Sequence, residues 1–172
     1  MLNNYNKNTM KKNTLLLTLF LASFFANAQQ YQWYEKLSAS SGSNLYVNDM
    51  EIDNDYIYIV GSFTGTVDFD FTSNVDNRTA VDEDAFIAKY VMETRQLVWV
   101  TTTNSAGNQV AKKVVPTSTV YTPRLNVIIM NNSNSFSVKS VDFFTGNIFA
   151  TSQTYTSTGS ISINDFVKGD GI

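Results

Sequence analysis

From Tyr31 onward, short runs of β-branched and aromatic residues alternate with clusters of Gly, Asn, Asp and Ser. Runs of this length, with apolar positions recurring every second residue and turn formers between them, read as β-strands. The pattern predicts strands over 31–37, 46–52, 56–63, 84–91, 97–103, 109–115, 124–131, 135–142, 147–155 and 160–167. A brief extended piece over 66–71 adds to an edge. Asp53-Asn54-Asp55 reads as a hairpin turn, since Asn and Asp close turns through their own side chains. No stretch carries a convincing amphipathic helical period.

Several of these strands are apolar on both faces. Tyr56, Tyr58 and Val60 alternate with Ile57 and Ile59, and Val127 and Ile129 alternate with Ile128 and Met130. A strand that is greasy on both sides needs a layer above it and a layer below. Stacked sheets supply that, as in the blades of a propeller. A repeat points the same way. FIAKYVMETRQLVW aligns without a gap on FSVKSVDFFTGNIF, setting Lys89 against Lys139 and Trp99 against Phe149, fifty positions apart. Spacings of roughly 40–50 residues are those of propeller blades. The expected fold is all-β, with antiparallel four-stranded blades in an incomplete set of about two; a β-sandwich is the alternative. The expected parts are an outer strand at 31–37, blades at 46–103 and 109–155, and the start of a third at 160–172.

The N-terminus changes the picture of compartment. Lys11 and Lys12 precede an apolar run from Leu15 to Ala26, and Ala26-Asn27-Ala28 offers a small-x-small cleavage site. That order predicts a secretory signal peptide over 1–28, with 1–9 a misassigned start ahead of Met10. The run falls short of the roughly 20 residues a membrane span requires. Cleavage would remove Lys7, Lys11 and Lys12. The 12 basic residues then become nine against 15 acidic ones, a net charge of −6. Such a balance disfavours nucleic acid and anionic membrane surfaces. There is no cysteine and no histidine. A disulfide framework is therefore excluded, as are zinc sites and nucleophile–base pairs built on those residues.

Gly61, Phe63, Gly65, Thr66, Asp68, Phe69 and Asp70, followed by Asp84, Phe86, Ile87, Ala88, Lys89, Tyr90 and Trp99, carry a family likeness. Over 46–103 the chain resembles the SBBP-type β-propeller repeat of secreted bacterial proteins associated with type IX secretion. The resemblance implies blade architecture and a secreted or cell-surface location, and it implies nothing about a ligand. The family's Asp-x-x-Gly hairpin is here Met92-Glu93-Thr94-Arg95, without the glycine. The second copy keeps Asp142, Thr145, Gly146 and Asn147, yet has Asn131-Asn132-Ser133-Asn134 in place of the Gly-x-Phe-x-Gly-Thr segment.

Candidate chemistry is sparse. Glu35, Glu51, Glu83 and Glu93 are the glutamates that could form a glycosidase-like carboxylate pair, and their spacing places no two across a cleft. Asp53-Asn54-Asp55, Asp82-Glu83-Asp84, and Asp68 with Asp70 could offer oxygens to calcium, but none has the glycine of a calcium loop. Tyr31, Trp33, Tyr34, Tyr46, Tyr56, Tyr58, Tyr90 and Trp99 could stack on sugars, although most sit in strands at core-like positions. Asn77-Arg78-Thr79 and Asn131-Asn132-Ser133 match a glycosylation sequon, a chance match in a bacterial protein. No catalytic residue, metal ligand or cofactor is assigned. The expectation is a non-enzymatic scaffold or interaction module for an unknown protein or glycan, with loops 72–83 and 104–108 as its contact surface. The other readings are a carbohydrate-binding β-sandwich, an extracellular hydrolase and a truncated product. Exposed blade faces would favour a longer protein or a truncated product over self-association.

Overall fold

The computed structural model describes residues 36–117, 123–149 and 153–163. The chain divides into two compact units, 1–34 and 35–172, and every described residue belongs to the second. The regular elements among the described residues are all strands. They are β1 (Ser38–Ala39), β2 (Asn44–Asp53), β3 (Tyr56–Asp68), β4 (Asn77–Val91), β5 (Leu97–Thr102), β6 (Val110–Thr117), β7 (Arg124–Asn132), β8 (Ser135–Asp142) and β9 (Gln153–Thr156). β2 to β5 form an antiparallel meander, and β1 pairs with the far end of β3 beside β2. β6 to β9 form a second, four-stranded meander. The chain is thus all-β with two antiparallel sheets, and neither sheet closes on itself.

Several expected boundaries move. The separate piece at 66–71 is the continuation of β3, which passes a bulge between Thr64 and Thr66. Gly65 makes that bulge with φ +68°, a conformation open to glycine. The expected loop 72–83 shrinks because β4 already starts at Asn77. Its polar first half is held as strand by pairing, Thr66 against Thr79 and Asp68 against Asn77, so tertiary contact overrides composition. Of the expected strand 147–155, Ile148 makes a single bridge to Val141 and 153–155 belong to β9, while 150–152 lie outside the described residues. Residues 160–163 are not strand. Most of the expected outer strand, 31–35, and residues 164–172 lie outside the described residues.

One face of the first sheet packs on the second. Tyr58, Val60, Ala85, Ile87 and Trp99 meet Ala111, Val114, Leu125, Val127, Ile129 and Val141 in one buried core. The opposite face of the first sheet carries Phe63, Phe86, Ala88 and Tyr90. Phe69 and Phe71, just past β3, fold back over it. The Phe69 ring sits 5.0 Å from Phe86, Phe71 lies 4.6 Å from Tyr90, and Tyr90 Oη donates to Phe69 O at 2.8 Å.

The two sheets repeat one another, but one residue out of step with the spacing of Lys89 and Lys139. In the β4–β5 turn Val91 N donates to Gln96 O and Arg95 N to Val91 O; in the turn after β8 Asp142 N donates to Asn147 O and Gly146 N to Asp142 O. Val91 therefore matches Asp142, and Arg95 (φ 61°) takes the left-handed position held by Gly146 (φ 74°). Where the second turn has a glycine, the first has a strained arginine, and the turn itself is the same. With side chains alternating every residue, a one-residue offset exchanges the two faces. The counterpart of Lys89 is Ser140, and Lys139 instead shares a face with Val127. The first strands agree with this match. β2 bulges between Val47 and Asp49, and β6 bulges between Ala111 and Lys113. Val47, Met50 and Ile52 thus correspond to Ala111, Val114 and Pro116.

Candidate functional site

The expected loop 104–108 packs on Asp82–Asp84, which belong to strand β4 rather than to the expected loop 72–83. There a cavity of about 430 Å3 opens between Glu83 and Asn108 on one side and Lys112, Met130, Asn132 and Ser133 on the other. Its first wall is a hydrogen-bonded knot. Asp84 is fully buried, and its carboxylate accepts from Val81 N at 2.9 Å, Thr103 Oγ1 at 2.9 Å and Ser105 N at 3.1 Å. Gln109 N donates to Glu83 O at 2.7 Å, while Gln109 Nε2 donates to Ala106 O. Asp82 Oδ2 accepts from Gly107 N, and Ser62 Oγ donates to Glu83 Oε1 at 2.7 Å. The 103–109 loop is thereby fixed to the middle of β4, which sets the position of Asn108. The opposite wall comes from β6 and the β7–β8 turn, where Asn134 N donates to Asn132 Oδ1. The lining offers a carboxylate, amides, a hydroxyl and an ammonium group. That set suits hydrogen bonding to a polar ligand.

A second cluster lies between the sheets at their other end. Lys89 is buried, and its Nζ donates to Phe143 O at 3.0 Å. The ammonium sits 3.8 Å from the Tyr56 ring centroid and 3.7 Å from that of Phe143, a cation–π arrangement. Trp99 Nε1 donates to the same carbonyl at 3.3 Å, and Thr101 Oγ1 donates to Gly146 O at 2.7 Å. Tyr58 Oη, buried beside them, has no hydrogen-bond partner. Burial lowers the Lys89 pKa to about 8, against the partial opposition of Asp53 and Asp142. A shifted amine in a cleft would be a catalytic candidate. Here it is sealed beneath Phe143, and its role is to join the sheets. In the unfolded chain Lys89 keeps its proton to about pH 10.5. Between about pH 8 and 10 the unfolded state therefore binds more protons, and stability rises with pH. Burial first, then nearby carboxylates, raise the pKa values of Tyr58 and Tyr90, so stability falls again above about pH 10. Urea midpoints measured from pH 7 to 11 are expected to show this maximum, and Lys89→Met is expected to remove the rising limb.

The other sequence candidates are dispersed. Glu51 lies on β2, Glu83 is bonded to Ser62 midway along β4, Glu93 lies in the turn at its far end, and Glu35 is outside the described residues. Asp53-Asn54-Asp55 forms the expected hairpin turn, with Asn54 at φ 52°. Asp68 Oδ1 accepts from Asp70 N and Asp76 N, closing the loop after β3. The carboxylates of Asp82, Glu83 and Asp84 each hold a different partner. Among the described residues, no three His, Cys, Asp or Glu side chains converge as a metal site. Tyr58, Tyr90 and Trp99 are core residues. The exposed aromatics Tyr46, Phe144 and Tyr155 lie on β2, in the turn after β8 and on β9, and they form no joint platform. Tyr31, Trp33 and Tyr34 are outside the described residues. Sequence reading missed Lys112, Asn132 and Ser133. The Asn131–Asn134 run was the signal for Asn132 and Ser133, and nothing local marked Lys112.

Among the described residues no helix is long and apolar enough to cross a membrane. No family model, curated protein or solved structure matches the chain.

Proposed function

We propose that the chain is a secreted or cell-surface scaffold and interaction module of β-propeller-like construction, without catalytic activity of its own. The observation that carries this reading is the repetition of one four-stranded meander. Both copies have a bulge in the first strand and the same turn hydrogen bonds between the third strand and the segment that follows, and they stack in the same direction. Glu83 O, midway along β4, meets Gln109 just before β6, and Lys89, near the end of β4, meets Phe143 just past β8. Two sheets of a sandwich have no need to repeat in this way, whereas sheets stacked around an axis do. The cavity between Glu83 and Lys112 is the contact point for a polar protein or glycan partner, as loops on a rigid frame commonly are.

Export is the part of this reading that a simple experiment decides. The full chain, expressed in a bacterium, is expected outside the cytoplasm with a new N-terminus at Gln29. Uncleaved chain retained in the cytoplasm would remove the secreted reading. Turnover of chromogenic glycosides or esters by the purified protein would overturn the non-enzymatic one.

A further inference from the structure

The repeat assigns a partner to a surface that the two sheets leave uncovered. In the second sheet, Ala111 and Val114 on the first strand are fully buried against the first sheet. Their counterparts on β2 are solvent-facing, with Val47 at 56%, Met50 at 50% and the neighbouring Ile52 at 55% relative exposure. Met50 pairs with Ile59 and Ile52 with Ile57, so both lie on the face turned away from the second sheet. Met92, 43% exposed, stands one residue past Val91, as Phe143 stands one past Asp142. Phe143 is the ring that packs on Tyr56 and Tyr58. Phe69 and Phe71 cover the β4 side of this face and Phe63 on β3, with Leu45 of β2 packed against the same cluster. The stretch of β2 from Val47 to Ile52, whose counterpart on β6 makes the internal contact, is open.

The receiving half of that contact is also present. The first sheet receives β6 on the face bearing Val60, Ala85 and Ile87. By the same match, the corresponding face of the second sheet is the outer one, where Ile128 is buried at the centre and Phe136, stacked on Tyr155, and Val138 are half-buried beside it. The edge polar groups are complementary as well. Inside one molecule Asp49 accepts from Val114 N at 3.0 Å and pairs with Lys113 at 3.3 Å, while Asn48 Nδ2 donates to Ala111 O. The counterparts of Asn48 and Asp49 on the second sheet are Lys112 and Lys113, two cations. An approaching β2 carries Asp49 at the bulge position that Lys113 holds on β6, the position whose side chain makes the ion pair inside one molecule. We infer that copies of this chain associate head to tail, with β2 of one copy seated on the outer face of the second sheet of the next, repeating the internal contact. Such a heterologous contact closes a ring or extends a filament, according to the rotation per copy.

This inference rests on the stacked-sheet reading and is independent of export, so the cellular test above can fail without touching it. Sedimentation velocity of the purified full chain is expected to show species larger than the monomer, growing with concentration. Met50→Lys sets a cation against Lys112 and Lys113, and Val138→Glu sets an anion on the receiving face. Each variant alone is expected to sediment as a monomer, with unchanged circular dichroism. An equimolar mixture of the two has one intact junction and is expected to form a one-to-one dimer. Ile52→Lys serves as a second β2 variant should Met50→Lys misfold. A monomeric wild type would overturn the inference. Val138→Glu associating as the wild type does would also overturn it, since an isologous contact through β2 needs no receiving face. So would a mixture that stays monomeric.

Discussion

Gly61→Ala is expected to destabilise the fold by about 3 kcal/mol or more, at the upper end of what overpacking costs. Gly61 has an ordinary backbone conformation; its constraint is space. A Cβ there would sit 1.8 Å from Tyr46 O and 2.8 Å from Phe86 Cε1. The carbonyl is backbone and cannot turn away as a side chain would. It belongs to β2, which pairs with β3 through Tyr46–Ser62 and Val47–Gly61, on the N-terminal side of its bulge. Accommodating one methyl group means moving β2 away from β3. β2 also brings Asn48 and Asp49 to the second sheet, so the sheet contact loosens with it. Gly42 is the control. It has φ +83°, but a Cβ there would meet nothing within 4 Å, so Gly42→Ala incurs only the left-handed backbone penalty of about 1–2 kcal/mol. Denaturant midpoints of the two variants decide the matter. Equal losses, or a milder one at Gly61, would mean that β2 yields without cost and that its register is not held by this contact.

The contrast between these glycines shows what the sequence could convey. Strand existence was legible because Tyr56–Val60 and Val127–Met130 are apolar on both faces, and only a layered β architecture buries both. The hairpin at Asn54 was legible because Asn and Asp tolerate its positive φ. The phase of the repeat was not. The ungapped match of Lys89 with Lys139 has identical residues in its favour, yet turn hydrogen bonds set the true correspondence one residue away. With a period of two, that small shift is the difference between the buried and the outer face of the second sheet. The strand character of 77–83 was hidden for another reason: Asn77 to Asp82 is a polar stretch, and only its pairing partners on β3 reveal it. The cavity was half legible. Loop 104–108 was marked by its turn residues, while Lys112 and Asn132 arrive from the second sheet, which no local pattern places opposite Glu83.

Asp84 carries the other large expectation, because the same polar stretch ends in a buried carboxylate on which the cavity wall depends. Asp84→Ala is expected to lower stability by about 3 kcal/mol, the range for leaving buried partners unmatched. Three donors lose their acceptor at once: Val81 N, Thr103 Oγ1 and Ser105 N. Thr103 Oγ1 has a substitute in Gln109 Oε1 at 3.2 Å, but the two backbone groups have no second acceptor in the knot. Asp84→Asn fills the same volume and still loses most of this energy, since its amide nitrogen must face N–H groups on one side. The effect on melting temperature is roughly 10 °C for a domain of this size. A second readout separates this role from simple core packing. Amide exchange at Ser105 and Gly107 should quicken in Asp84→Asn well beyond the global loss, while Ile129 and Val141 in the shared core exchange only as fast as overall unfolding allows. Uniform acceleration across the chain would show that Asp84 merely fills space. Protection unchanged at Ser105 would show that the 103–109 loop is held without it, and that the cavity wall formed by Asn108 has some other support.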